Sequence, residues 1–330
     1  MANAYTASTD LTTLPKYYSK VFLERLQPGP ILMDYATQIP LPTGSGTSIF
    51  FPRLNVSSTT PSAYKITQGT VISTEKIADT QISAVIEQFG NAKALWDLTE
   101  LTAINTIVEE NIKEIGDQAN NIIDKRIRDA AYGTSSRPWG GGFSVTAYNT
   151  ASNLDLVGLG FLEVSAAITY VGKTEFSTTA ASLRYLAKKM EARNVRPFDD
   201  GFYVLACHSD TAMQIQGDTA WQAAYQYTDP ENMRRGVAGA LGGVKIQKDN
   251  NIFTSAIGSA GNSVYYSILL GQGALGVSQL DGGVKSFTKS SGPQDTSNPI
   301  NQFITFGWKI NFVPSLLNLS CGLVFASCDS

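Results

Sequence analysis

Charge is the scarcest ingredient of this sequence. Only 16% of its 330 residues are Asp, Glu, Lys or Arg, against about 25% in an ordinary soluble chain. The 25 Lys and Arg nearly balance the 28 Asp and Glu, for a net charge of −3. That balance excludes a basic protein that wraps nucleic acid, and neither end carries a Lys/Arg-rich tail. Histidine occurs once, as His208, and cysteine three times, as Cys207, Cys321 and Cys328. So few, without C-x-x-C spacing, argue against a zinc site or a disulfide framework and fit reduced thiols. The opening MANAYTASTD has no basic stretch followed by an apolar one, so no secretory signal is expected. No repeat of solenoid period is visible. Residues 310–328 carry no charge over about the length of a membrane-spanning helix. Pro314, Gly322, Asn311, Ser315, Asn318 and Ser320 interrupt them, so two buried strands around a turn are expected instead, and no membrane contact.

What is abundant is core-forming material. Hydrophobic residues make up 43% of the chain, which excludes wholesale disorder and suffices for one large elaborated domain or two. A surface this poor in charge repels copies of itself weakly, which suits a protein that lives in contact with others.

The chain divides into unlike stretches. Residues 1–46 read as an arm, with LPKYYSKVFLERL as a short helix, broken by QPGP, and IPLPTGSG as a connector. Residues 47–95 read as an extended β-loop. TSIFFPRLNV and TQISAVIEQFG are its strands, the first marked as an edge by Pro52. Between them lies a polar excursion whose tip contains Tyr64 and Lys65. A strand pair alone is marginal in water, so it should rest on a partner. Over 97–131 the spacing predicts a long helix. Asp97 and Glu100 supply a capping-box pattern, and Leu101, Ile104, Val108, Ile112, Ile115, Ala119, Ile122 and Ile127 form one stripe. Such a helix would measure about 50 Å, with Gly133 as its stop.

Residues 133–150 read as loop, and 179–194 as a basic amphipathic helix burying Leu183, Leu186, Ala187 and Met190. FYVLAC is a buried strand, and HSDTAMQI opens a helix capped by Ser209 or Asp210. DTAWQAAYQYTDPENMRRG looks irregular. A Gly-rich turn leads into a strand at 244–247, VYYSILLG is another strand, and DGGVKSFTKSSGPQDTSNP is a polar loop. FITFGWKINFVP alternates as a strand, with Phe303, Thr305, Gly307, Lys309 and Asn311 on one face and Ile304, Phe306, Trp308, Ile310 and Phe312 on the other.

None of the chemical motifs gains support. The stretch from Gly271 to Gly276 satisfies G-x-G-x-x-G, but no helix pattern follows to receive a pyrophosphate. Cys207 and His208 are neighbours on a strand and point to opposite faces, so they make a poor nucleophile–base pair. The acid pairs Glu109–Glu110 and Asp199–Asp200 belong to solvated positions, not to a general acid and base. No catalytic residue, cofactor or metal ligand is expected. Arg184, Lys188, Lys189 and Arg193 on the 179–194 helix are candidates for contact with an anion.

This order of parts resembles the major capsid protein of tailed double-stranded DNA phages, the Hong Kong 97 type fold. The stretches NVRPFDDGFYVLACHSDTAMQI and WQAAYQYTDPENMRRGVAGALGGVKIQKDN resemble its N-four-like subfamily. The matching positions are Pro197, Phe198, Gly201, Tyr203, Val204, His208, Trp221, Tyr225, Pro230, Glu231, Gly236, Gly239, Gly242, Gly243 and Val244. The resemblance covers most of the chain and is weakest over 140–178.

It implies an α+β chain in defined parts. These are an N-terminal arm (1–46), an extended β-loop (47–95) and a peripheral domain (96–199) with spine helix 97–131. An axial domain (200–300) and a C-terminal return to the peripheral domain (301–330) follow. It implies a structural protein, not an enzyme, that assembles in the host cytoplasm as hexamers and pentamers of an icosahedral virion shell. Packaged double-stranded DNA would be held weakly, with Arg184, Lys188, Lys189 and Arg193 facing it in the lumen. Tyr64 and Lys65 would meet a neighbouring subunit, and portal and decoration or scaffolding proteins would be further partners. An encapsulin-like cellular compartment, which shares the fold, is the alternative.

Overall fold

The computed structural model describes residues 30–42, 44–54, 65–66, 68–69, 79–97, 107–133, 144–149, 154–155, 178–228, 239–255, 263–289 and 302–328. The helix expected within 1–29, Glu100 of the expected capping box, Tyr64 and most of 140–178 lie outside these residues.

In chain order, the first elements are helix α1 (Ile31–Asp34) and strands β1 (Thr37–Leu41), β2 (Ser48–Leu54), β3 (Asp79–Val85) and β4 (Glu87–Trp96). The spine helix α2 (Ile107–Tyr132) follows, then β5 (Ser144–Asn149), β6 (Leu154–Asp155) and α3 (Ala180–Ala192). Next come β7 (Tyr203–Cys207), α4 (Ser209–Gly217), α5 (Thr219–Thr228), β8 (Ala240–Leu241), β9 (Val244–Lys248) and β10 (Thr254–Ser255). Strands β11 (Val264–Leu270), β12 (Leu275–Lys289), β13 (Phe303–Leu316) and β14 (Gly322–Cys328) close the described chain.

The spine helix runs unbroken through Gly116 and ends at Gly133, whose φ of 81° favours glycine. Its buried stripe is Val108, Ile112, Ile115, Ala119, Ile123, Ile127 and Ala131. Ile123 takes the place expected for Ile122, which is only half-buried. Both have helical spacing from Ala119, and the sheet contact selects between them. No helix among the described residues is long and apolar enough to cross a membrane.

Strands β1, β12, β13 and β4 form a four-stranded sheet in that order. The alternation of β13 holds: Ile304, Phe306, Trp308, Ile310 and Phe312 are buried in one cluster with the spine stripe. Three polar links align β4 along the spine. Glu87 pairs with Arg126 at 2.5 Å, Asn91 donates to Gln118 at 2.7 Å, and Lys93 pairs with Glu114 at 2.6 Å. Exposed pairs of this kind contribute at most about 1 kcal/mol each. They orient the strand, while apolar burial stabilises it.

The second sheet orders β6, β5, β14, β11, β7, β9 and β8, with β10 beside β11. Every residue of β7 and of β11 is buried. One face joins the spine cluster through Val264, Tyr266, Ile268 and Leu270. The other face packs Leu205, Ile246, Leu269 and Phe325 against Leu183, Leu186 and Met190 of α3. Cover on both sides explains the uninterrupted apolar runs.

Several expectations are corrected. Residues 39–41 of the expected connector belong to β1, which pairs in parallel with Gly276–Leu280 of β12, an edge position where Pro40 is tolerated. Leu32, just before it, is fully buried against the spine. Residues 144–149 are a strand parallel to β14, and 219–228 are a helix. The supposed loop after Asp281 continues β12 to Lys289, with a register shift between Leu280 and Lys285. Strand β12 therefore belongs to the sheet covering the spine, and β14 to the central sheet. Helix α3 packs on the 203–246 strands.

Candidate functional site

Two open surfaces among the described residues carry large apolar side chains. Strands β2 and β3 pair antiparallel from Ser48 opposite Val85 to Leu54 opposite Asp79, as a two-stranded ribbon. Its inner face, with Ile49 and Phe51 buried, rests on Val313 of β13. Beyond Phe312 opposite Glu87, β13 no longer pairs with β4, and the ribbon's root packs on the strand there. On the outer face Phe50 and Val85 are each 59% exposed. Further along the loop Lys65 is exposed and Ile66 is 68% exposed.

The outer face of the four-stranded sheet is the second open surface. A groove of about 690 Å³ crosses it, with Gly90, Ala92 and Gly307 among its lining residues and Phe287 and Lys309 beside them. The glycines are required by the close strands: a Cβ on Gly307 would lie 2.6 Å from the Asn91 carbonyl oxygen. Trp96, 56% exposed, stacks edge-on against Phe303 at one end.

Helix α3 starts with a reciprocal cap between Thr179 and Ser182. It carries Arg184, Lys188 and Lys189, and Arg193 stands at its C-cap. Arg184 and Lys188 are exposed, and the Arg184 stem lies against Gly242. Lys189 sits over the Tyr185 ring at 5.4 Å. Half-buried Arg193 donates to the Gly322 carbonyl at 3.5 Å.

Comparison with known proteins identifies the architecture. No protein-family model matches the chain, and no curated protein does. Solved structures do. The capsid of cyanophage P-SCSP1u superposes with a TM-score of 0.62 at 16% identity, covering 92% of this chain and 89% of that one. The capsid of Ralstonia phage GP4 gives 0.64 at 11% identity over 90% and 87%. The acid-stable capsid of Helicobacter pylori bacteriophage KHP30 gives 0.61 at 10% identity over 91% of each chain. The chain has the α+β fold of phage capsids. It is the Hong Kong 97 type that the order of parts implied.

In this capsid fold the chemical candidates take structural places. Cys207 is fully buried, and burial pushes its thiol up to about 12, the wrong direction for a nucleophile. His208, not Ser209 or Asp210, caps α4: its Nδ1 accepts from the Asp210 amide at 3.3 Å. The imidazole also stacks on Tyr265, whose hydroxyl donates to Asp210. Gly271 and Gly273 belong to the turn from β11 into β12, with no helix behind them. Asp200 is exposed and pairs with Lys245 at 2.9 Å. Among the described residues no three His, Cys, Asp or Glu side chains are placed to hold a metal ion.

One junction escaped the sequence reading. Asp124 of the spine and Asp249 after β9 are 3% and 2% exposed, and Asn251 links them. The Asn251 amide donates to Asp249 at 2.8 Å and its side chain to Asp124 at 3.1 Å. The other Asp124 oxygen accepts from the Leu32 amide at 3.1 Å. Asp124 lay inside a helix pattern and Asp249 in a polar turn, so neither position signalled burial.

Proposed function

We propose that this chain is a major capsid protein that assembles into the icosahedral head shell of a tailed phage around double-stranded DNA. The observation that carries this reading is the agreement in fold with phage capsids over about nine-tenths of both chains. The open surfaces support it. A single subunit leaves Phe50, Val85, Trp96 and Phe287 largely in water, whereas a shell supplies neighbours to cover them. That the similar solved structures are phage capsids favours this over an encapsulin-like compartment.

The finer assignments rest on the same reading. The chain belongs with N-four-like capsid proteins on the residues from Pro197 to Val244 named above. Residues 47–95 clamp a neighbouring subunit, with Tyr64 and Lys65 near the contact. Residues 1–46 are the arm. The peripheral domain (96–199, with the 301–330 return) is built on the spine. The axial domain is 200–300. Hexamers and pentamers close the shell in the host cytoplasm, and portal and decoration or scaffolding proteins join it. Arg184, Lys188, Lys189 and Arg193 meet packaged DNA through phosphate alone, a weak and salt-sensitive contact.

Gradient sedimentation of the protein from phage-producing cells, before and after nuclease, tests this function. Fast-sedimenting particles with nuclease-protected double-stranded DNA are expected. Particles filled with protein cargo and free of DNA would favour the compartment instead.

A further inference from the structure

The buried carboxyl groups of Asp124 and Asp249 are bridged by Asn251, which donates to both. Asp249 Oδ2 is buried and meets no donor, and the acid group beside it is Asp124. Two carboxylate oxygens both accept. They hydrogen-bond to one another only when one of them is protonated, and two buried like charges side by side cannot both persist. The surrounding groups do not offer a substitute. Arg128 is committed to Asp129, with bonds of 3.0 and 2.5 Å, and to the Asn251 carbonyl at 2.6 Å. Asp34 on α1 adds a further acid whose carboxyl is held up by burial and then by Asp124. The Arg128 charge pulls the Asp249 carboxyl down, Tyr132 and Cys207 feel the Asp249 charge, and Lys248 precedes it in the chain.

Three separate segments meet at this pair: residues 30–36 through the Leu32 amide, the spine through Asp124, and the 249–252 turn through Asn251. We propose that Asp124 and Asp249 share one proton, and that its loss releases residues 30–36 and the 249–252 turn from the spine helix. The device is a proton-operated latch inside one subunit, and it does not depend on the capsid reading. Its direction follows from burial, which raises the Asp249 carboxyl from 3.8 to about 7, with the Asp124 charge adding to the effect. A group that binds its proton more tightly when folded stabilises the fold at low pH. That stability is lost as pH rises from about 4 through about 7.

The test is hydrogen–deuterium exchange of the full-length protein between pH 5 and pH 8, corrected for intrinsic exchange. Protection of the peptide containing Leu32 should fall about tenfold or more over this range, one pKa unit of coupling being worth a factor of ten. Asp249→Asn supplies a permanent donor to Asp124. It should abolish the drop and hold protection at pH 8 near its pH 5 value. Asp200→Asn, at an exposed ion pair, should keep the wild-type profile. Protection at Leu32 that is flat with pH in the wild-type protein would overturn the latch, whether or not the variant folds. An Asp249→Asn protein with the wild-type drop would overturn it as well.

Discussion

Cys207 and Cys321 make a direct comparison of environments. Cys207 is fully buried with a thiol pushed up to about 12, while Cys321 is partly exposed. Brief alkylation of the native protein at pH 8 should label Cys321 well before Cys207, as read by peptide mass spectrometry. Equal labelling would mean that the β7 strand opens readily. Burial also sets the cost of changing the spine stripe. Ile112 and Ile115 are 3% and 2% exposed within the main cluster. Replacing either by Asp loses about 1.5–3 kcal/mol of apolar burial and adds an unpaired buried charge, so insoluble protein is expected. Soluble, correctly sized assemblies from Ile115→Asp would show that the stripe faces water. At this scale periodicity located the stripe but not its final register: Ile122 and Ile123 are equivalent by spacing, and only packing distinguishes them. His208 was misplaced for a related reason. Its role as a cap comes from the ring position set by Tyr265, a residue 57 positions away in the chain.

Elements with a single strong pattern were legible. The spine, the 180–192 helix, β7, β11 and the alternating β13 each carry the period of a helix or strand buried on known faces. Those missed are built from polar or small residues. Strand β12 from Asp281 to Lys289 lies on an open sheet face, so only its pairing to β13 reveals it. Strand β1 contains Pro40 and gains its order from β12. The ribbon was legible as two strands, and its root on Val313 explains how a strand pair survives in water. Deleting residues 57–70 leaves that root intact. The shortened subunit should remain folded by circular dichroism and fail to close shells, whereas normal shells would remove the clamp from the account.

For the whole molecule, shape was legible through resemblance more than through composition. Low charge indicated a life among copies, but the order of arm, loop, spine and axial parts carried the fold. The four-cation helix was legible as basic and amphipathic. The contacts of Lys189 with Tyr185 and of Arg193 with the Gly322 carbonyl were not, because helical spacing does not show them. Replacing Arg184, Lys188, Lys189 and Arg193 together by Gln should permit assembly and change at most DNA retention, measured as nuclease-protected DNA per particle. A variant that cannot assemble would move these residues to a subunit interface.

Negative-stain electron microscopy of the protein purified from an expressing cell tests assembly most directly. Closed icosahedral particles of uniform diameter, with six- and five-fold capsomers in class averages, are the predicted result. A monodisperse population of single subunits at micromolar concentration, with the 47–95 ribbon ordered and its apolar face free in water, would contradict it.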